Sequence, residues 1–416
     1  MKLKFIINNQ EKKKILANFF SLFLLQGINY LIPLITFPYL VRVVGVEKYG
    51  LLSFTVSIIN YFSVVIDYGF NLTATKDVAI NRENKEKLKE IFSSVMIIKS
   101  MMMFASFVFL FVMVVSVRKF RQDYLIYFLS FGMVVGQMLF PVWFFQGIEK
   151  MKYITYLNVL SKAVFAISIF LFVKHESDFY LVPTFTSAGF IISGIWALFL
   201  MKKKFGILFE WQSSKTIKYY LFDGWDIFVS RVFGAMYRNS NVVILGFLTN
   251  NMFVGYYSIA EKIIKILQSM QDVFGNALFP FLGRKNDDDK SAFLKLNNRY
   301  IKYIVFLYAV MTILLFSYSD FLSLLFFGDY NDNVILNVKI MSLVVFIGGM
   351  NYYYGILGLV SMGYKKEFSN YVVVIGVLNF ALCYFFVAMY QDLGAVIAFV
   401  VSECLLLILI GKKFIN

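Results

Sequence analysis

The sequence predicts an all-α, polytopic membrane protein with about twelve transmembrane helices in two six-helix lobes related by pseudo-two-fold symmetry. Of its 416 residues, 60% are hydrophobic and 16% are charged, and the mean hydropathy is +0.71. A soluble core of ordinary size could not bury so much apolar surface. The apolar residues also form runs long enough to cross a bilayer, and the second half of the chain weakly repeats the first.

The apolar runs have the length that a helix needs to span the hydrocarbon core, about 20 residues each. The first run is too long for a secretory signal and lacks a small-residue cleavage site, so we expect it to remain as a span. In chain order the predicted spans cover residues 15–44, 48–70, 90–116, 123–147, 153–173, 180–201, 219–248, 253–282, 299–327, 334–362, 367–390 and 393–411.

Lysine and arginine are concentrated at the N-terminus and in the loops that follow even-numbered spans. The loops that follow odd-numbered spans hold far fewer basic residues, namely Arg42, Lys48, Arg118, Lys119, Arg121 and Lys174. Because cytoplasmic loops carry the excess of positive charge, both termini are predicted to be cytoplasmic. This topology also accounts for the net charge of +15 without a nucleic-acid partner.

A weak internal repeat at a shift of 205 residues defines the predicted lobes. It aligns Gly50 with Gly255 and Asp67 with Asp272, so the second and eighth spans are counterparts. Six spans followed by six in the same orientation is the parallel-repeat plan of many transporters, whose substrate site lies at the repeat interface. The predicted lobes cover residues 1–210 and 211–416, joined by the basic stretch 202–218.

Two neighbouring spans carry polar residues that are costly in lipid. Arg231 and Arg238 lie two helical turns apart in the seventh span, and intramembrane arginines usually face a watery cavity or a partner. In the eighth span, spacings of three and four residues place a polar series on one helix face. That series is Glu261, Lys265, Gln268, Asp272 and Asn276.

These faces predict an internal cationic path for an anionic substrate. The repeat aligns Gln26 with Arg231 and Asn60 with Lys265, so polar positions recur in the first lobe. The predicted substrate-binding residues are Arg231, Lys265, Arg238, Gln26, Asn60, Gln268 and Asp272. Two acidic residues inside spans, Glu403 and Glu261, are candidates for ion coupling.

Structural alternatives remain open for most of these residues. The competing ion pairs are Glu261 with Lys265, one helical turn apart, and Arg231 with Asp226 or Asp223. Other candidates lie where they could extend to the interface or hold loops instead of lining a path; these are Arg238, Lys99, Lys162, Asp67 and Asp272.

The sequence contains no pattern that predicts catalysis, a cofactor or a metal site. Cys383 and Cys404 lie in apolar runs, and the single histidine, His175, has no partner with which to complete a metal site. The acidic run 287–289 falls in a short polar loop. No phosphate-binding glycine loop or nucleophile elbow occurs, so an enzyme is not expected.

Several short motifs follow one another along nearly the whole chain. They are Pro33, Pro38-Tyr39-Leu40, Arg42, Gly45, Tyr49-Gly50, Asp67-Tyr68-Gly69-Phe70, Ala74-Thr75, Trp143 to Met151 and Val254 to Ala260. In this order they resemble the Wzx-type O-antigen and polysaccharide flippases, a branch of the multidrug/oligosaccharidyl-lipid/polysaccharide exporter superfamily. Where that family often has an aspartate in the seventh span, this chain has Asn241, which places a proton role at this position in doubt.

The resemblance implies a flippase that moves an undecaprenyl-pyrophosphate-linked oligosaccharide to the outer face of the bacterial inner membrane. It implies a lipid-linked oligosaccharide and membrane lipids as partners, together with a polysaccharide polymerase and a chain-length regulator. A membrane polymerase or ligase and a multidrug exporter of the same fold are the alternatives. Short external loops disfavour the first, and the basic balance of the polar faces disfavours the second.

Overall fold

The computed structural model describes the backbone of residues 9–288 and 290–415, and the side chains of residues 32–232, 234–236, 239–269, 271 and 301–413. Over these residues the chain is helical and contains no β-strand. The helices are α1 (Asn9–Asp67), α2 (Thr73–Ile80), α3 (Lys85–Ser116), α4 (Arg118–Gln122), α5 (Tyr124–Leu139), α6 (Val142–Gly147), α7 (Met151–Phe172), α8 (Leu181–Leu200), α9 (Ser214–Asp223), α10 (Trp225–Leu248), α11 (Asn251–Asp288), α12 (Lys290–Ser317), α13 (Ser319–Phe327), α14 (Asp332–Asn351) and α15 (Lys365–Ile415).

The predicted spans fall on these helices, and the tenth continues from α14 into the π-helical segment Tyr352–Val360. Within the described part, seven helices are long and apolar enough to cross a membrane, and the bent pair Ile301–Ser317 with Ser319–Phe327 makes an eighth. The predicted all-α, multi-pass class is therefore confirmed, whereas the count of twelve crossings stays a prediction.

The longest helices each contain two predicted spans separated by one residue with non-helical angles. In α1 that residue is Gly45, with φ 76° and ψ 163°, and in α15 it is Gln391, with φ 55° and ψ −127°. Both positions match the predicted span boundaries. A glycine tolerates the angles at the first break because it has no Cβ, whereas a glutamine at the second break is strained.

Other predicted spans are interrupted where the sequence predicts continuity. The fourth span divides into α5 and α6 at Phe140-Pro141, because proline has no N–H to continue the helical hydrogen-bond ladder. The ninth span bends by 66° between α12 and α13.

The described residues group into two compact units. The first contains Ile58–Val232 with the chain before Phe37, and the second contains Phe37–Ser57 with the chain from Phe233 onward. In both units the close helix contacts occur at small residues, as expected for packing without a hydrophobic driving force in lipid.

In the first unit α5 packs against α8, where a Cβ on Gly132 would lie 2.6 Å from the Ser187 Cβ. In the second unit Gly50 and Gly255, the glycines that the repeat aligns, share one contact. A Cβ on Gly50 would lie 2.7 Å from the Gly255 nitrogen.

Candidate functional site

Arg231 is held by an aspartate far away in the sequence. On α10, its Nη1 donates to Asp67 Oδ2 at 2.8 Å, and the Asn71 amide donates to the other carboxylate oxygen. The Asp67 side chain is 10% exposed, but the Arg231 side chain remains 38% exposed. Arg231 therefore pairs with Asp67 and not with either of the alternative partners, Asp223 and Asp226. The pair leaves more than a third of the Arg231 side chain exposed.

A tight turn after Asp67 packs the end of α1 against the end of α9 and the start of α10. Tyr68 and Gly69 adopt positive φ angles of 49° and 85°. The Tyr68 hydroxyl donates to the Leu221 carbonyl at 3.0 Å, and its ring stacks on Phe228 with centroids 4.6 Å apart. A Cβ on Gly69 would lie 2.6 Å from Ile227 Cγ2, so this position needs glycine. The Asp-Tyr-Gly-Phe motif, residues 67–70, thus holds the chain where Asp67 can pair with Arg231.

The two intramembrane lysines of the first unit differ in their surroundings. Lys99 is buried, and its Nζ donates to the Gln137 carbonyl at 3.1 Å. Lys162 lines a cavity of about 150 Å³ that also contains Asn158 and Thr186. Only Lys162 therefore lies at a space that a ligand could enter.

In the second unit, Glu261 and Lys265 form the predicted pair along α11. Lys265 Nζ and Glu261 Oε1 are 2.8 Å apart. Glu261 is 14% exposed and Lys265 is 49% exposed, so the carboxylate lies inside and the ammonium points outward. As with Arg231, a buried acid accompanies a more exposed cation. A phosphate could compete for such a cation because charge-assisted hydrogen bonds to it are strong.

Glu403 lies in a cluster with two amides. The Asn351 Nδ2 donates to Glu403 Oε2 at 2.6 Å and to the Glu403 carbonyl at 2.9 Å. Beside them, a Cβ on Gly348 would lie 3.0 Å from Gln268 Nε2 and 3.7 Å from Glu403 Oε2. The structure therefore brings together Gln268 and Glu403, which the sequence assigned to separate roles.

A neutral network connects α10, α11 and α15 in the second unit. The Asn379 Nδ2 donates to Asn241 Oδ1 at 2.8 Å and contacts Ser240 Oγ at 3.3 Å. Ser402 donates to Asn379 Oδ1 at 2.9 Å, and Asn241 donates to the Tyr257 hydroxyl at 3.0 Å. Asn241 thus forms hydrogen bonds with the uncharged side chains of Tyr257 and Asn379.

Four predicted site residues remain, and the structure describes the side chain of one of them. Asn60 is half-buried on α1. The side chains of Gln26, Arg238 and Asp272 lie outside the described residues. Two partners, Asn351 and Asn379, were not predicted. Both are asparagines inside apolar runs, and that cost in lipid is the signal that could have identified them.

A family model described as "Polysaccharide biosynthesis protein" matches residues 15–286. Two curated relatives, both described as "Putative O-antigen transporter", match almost the full chain. The protein from Escherichia coli (strain K12) is 29% identical over 397 residues, which cover 95% of this chain and 96% of that protein. The protein from Shigella dysenteriae is 25% identical over 404 residues, which cover 95% and 98%.

Solved structures share the fold at low sequence identity. The lipid II flippase MurJ in an inward closed conformation superposes with a TM-score of 0.71 at 13% identity, covering 97% of this chain and 87% of that one. An inward-facing multidrug resistance MATE family transporter of the MOP superfamily gives a TM-score of 0.67 at 12% identity, covering 91% and 96%.

These matches confirm the resemblance predicted from the motifs, and they agree with a multi-pass membrane protein rather than an enzyme. The family model covers more than half of the chain, which therefore belongs to the polysaccharide biosynthesis protein family.

Proposed function

We propose that this protein is a flippase that carries a lipid-linked oligosaccharide from the cytoplasmic to the outer face of the bacterial inner membrane. The family, and the description of the two relatives as O-antigen transporters, support transport of a surface polysaccharide precursor. The undecaprenyl-pyrophosphate carrier and a cationic path opened by alternating access are the finer parts of this proposal.

The observation that carries the proposal is the half-exposed guanidinium of Arg231 on α10. Arginine suits a pyrophosphate because its planar fork can donate two parallel hydrogen bonds. Asp67 orients that fork through one nitrogen and leaves other N–H groups for a ligand. Lys265, half-exposed on α11, would add a point charge.

The orientation within the membrane belongs to the same proposal. Residues that follow the second, fourth and sixth spans line one cavity, so these loops lie at the same end of the first unit. All of them are basic loops, which supports a cytoplasmic location for that end and for both termini. A polysaccharide polymerase and a chain-length regulator would then receive the product at the opposite face.

The test is complementation of a deletion strain in the native host. Arg231→Ala and Lys265→Ala should each abolish surface polysaccharide while leaving the amount of protein in the membrane unchanged. Arg231→Lys should restore only part of it, since lysine cannot form the paired contact. Arg118→Ala, which removes an exposed arginine on α4, is the matched control and should behave as wild type.

The deletion strain also distinguishes a defect in transport from a defect in polymerisation. A missing flippase leaves lipid-linked repeat units on the cytoplasmic face, where reagents that do not cross the membrane cannot reach them from outside. Repeat units that reach the outer face but fail to elongate would identify a polymerase instead. Full activity of both alanine variants would refute the cationic path.

A further inference from the structure

An open cavity of about 540 Å³ lies at the end of the first unit that carries the basic stretch 202–218. Its lining comes from the loop before α3 and the start of that helix, from α6 and the segment that follows it, and from the segment after α8. The floor is apolar and mostly buried, and the residues that form it are Leu88, Phe144, Ile148, Phe205 and Ile207. The remaining lining residues are charged and exposed, so the cavity is amphipathic.

The charged rim is cationic, with Arg82, Lys85 and Lys150 against the single acid Glu83. Arg82 lies 3.8 Å from Glu83 and 3.5 Å from Glu149, but all three side chains are about half exposed or more, and such surface pairs are weak. Neither Lys85 nor Lys150 forms an ion pair with any residue whose side chain the structure describes. Two ammonium groups are therefore available at the rim.

Local backbone geometry adds to the attraction for an anion. Helix α3 begins at Lys85 and α7 begins after Lys150, so two helix N-termini with partial positive charge lie beside the cavity. The Asn84 side chain caps the start of α3 by accepting a hydrogen bond from the Lys87 N–H. No side chain caps the start of α7. Gly206 has a φ of 64°, and a Cβ there would lie 2.6 Å from Lys85 Nζ, so glycine makes room for the ammonium group.

Exposed aromatic residues at this end of the unit are consistent with a position at the level of lipid headgroups. Trp211, which is 85% exposed, packs edge-on against Phe209 with centroids 5.3 Å apart. Tyr219 and Phe222 on α9, and Trp225 at the start of α10, are exposed as well. Aromatic residues beside lysines are typical of the membrane–water interface.

We propose that this cavity binds the phosphate headgroup of an anionic phospholipid. Lys85, Lys150 and Arg82 contact the phosphate, and the acyl chains leave along the apolar floor. A basic pocket between helices on the cytoplasmic side recognises such headgroups, and anionic lipids are abundant in that leaflet. A free phosphate or nucleotide would use the rim but leave the floor of Leu88, Phe144 and Ile207 without a partner. The lipid therefore fits the cavity better.

The test measures lipid binding and needs no transport. The purified full-length protein is stripped of lipid in detergent and titrated with cardiolipin, or with phosphatidylcholine as the neutral comparison, while native mass spectrometry counts bound lipids. Lys85→Gln with Lys150→Gln should weaken cardiolipin binding about thirtyfold, which corresponds to about 2 kcal/mol for two cationic contacts. Binding of phosphatidylcholine should not change.

The control pair Lys202→Gln with Lys203→Gln removes the same charge at the same end but outside the cavity lining, and it should retain cardiolipin binding within about threefold. An equal loss in both pairs would overturn the site, because surface charge alone would then explain binding. Unchanged binding in the Lys85 and Lys150 variant would overturn it as well. Displacement of cardiolipin by millimolar inorganic phosphate would reassign the cavity to a free phosphate ligand.

Discussion

At the scale of single residues, the Arg231–Asp67 pair has a structural role and, in the proposed function, a second role in substrate binding. The nearly buried carboxylate needs a cation, because an isolated ionised group in an apolar environment is strongly unfavourable. The arginine is half exposed, so it can satisfy Asp67 and still contact a ligand. Asn71 completes the hydrogen bonding of the carboxylate. We therefore expect that breaking the pair from either side lowers the thermal stability of the purified protein, although by too little to reduce its amount in the membrane.

We expect a double-mutant cycle to show this dependence. Asp67→Asn and Arg231→Gln should each lower the melting temperature of the purified protein, and the double variant should lose less than the sum of the two. The coupling should be about 1 kcal/mol, within the range for residues in direct contact. Tryptophan fluorescence monitors the thermal unfolding of the protein in detergent. Strict additivity would show that the two side chains do not interact.

At the scale of helices, the neutral network determines how α10, α11 and α15 pack in the second unit. Asn379, which is buried on α15, contacts Ser240 and Asn241 on α10 and Ser402 on α15. Hydrogen bonds between helices replace the hydrophobic driving force that is missing in lipid. The network consists of amides and hydroxyls. An aspartate in place of Asn241 would add a charge to it.

Replacing Asn379 with leucine should lower the melting temperature more than Ser402→Ala does. The leucine leaves Asn241 Oδ1 and the Ser402 hydroxyl without the partner they now have, and each unsatisfied buried group costs about 1–3 kcal/mol. The alanine removes one hydroxyl and leaves Asn379 with its contact to Asn241. Equal shifts for the two variants would show that the network contributes nothing beyond side-chain volume.

The two helix breaks lead to opposite predictions. Gln391 is exposed, and its backbone angles suit glycine, so Gln391→Gly should raise the melting temperature by relieving about 1–3 kcal/mol of strain. Gly45→Ala should lower it by a similar amount, since a Cβ there has open space but the backbone angles remain unfavourable. Shifts of the same sign would contradict this account. Gly411, a helical glycine whose Cβ would also meet open space, provides the control for substitution by alanine.

At the scale of the whole molecule, the charge of the cargo determines which gradient can drive transport. In the proposed function, a pyrophosphate diester with about two negative charges would move outward, down the potential of an inside-negative membrane. Each charge gains about 2.3 kcal/mol per 100 mV, so about 150 mV could contribute about 7 kcal/mol. Cationic residues that return without cargo would reduce this gain. The amide of Asn241 cannot release and take up a proton as an aspartate can, which favours the potential as a driving force.

In proteoliposomes, a potassium–valinomycin potential at equal pH on both sides should accelerate outward movement of a lipid-linked oligosaccharide. Glu403→Gln should retain most of this rate, because glutamine keeps an oxygen that can accept the hydrogen bond from Asn351. Glu403→Leu removes that acceptor and tests whether the bond itself matters. Transport that ignores the potential and stops when the pH or sodium gradient is removed would make an ion-coupled acid obligatory.

Some properties of this molecule can be read from the sequence because they depend on neighbouring residues alone. Hydropathy over about 20 residues predicts a span, and the breaks at Gly45 and Gln391 fall at the predicted span boundaries. The Glu261–Lys265 pair was predictable for the same reason, since one helical turn separates the two residues.

The partners of the other site residues could not be predicted in this way. Asp67 and Arg231 are 164 positions apart, and Asn351 and Glu403 are 52 positions apart. Local periodicity can assign each residue to a helix face, but the face it meets depends on how distant helices pack. The cavity rimmed by Lys85 and Lys150 likewise exists only because three separate segments meet. The sequence by itself therefore determined the all-α membrane class and the positions of its charges, whereas the tertiary structure decided which charges are paired and which remain available to a ligand.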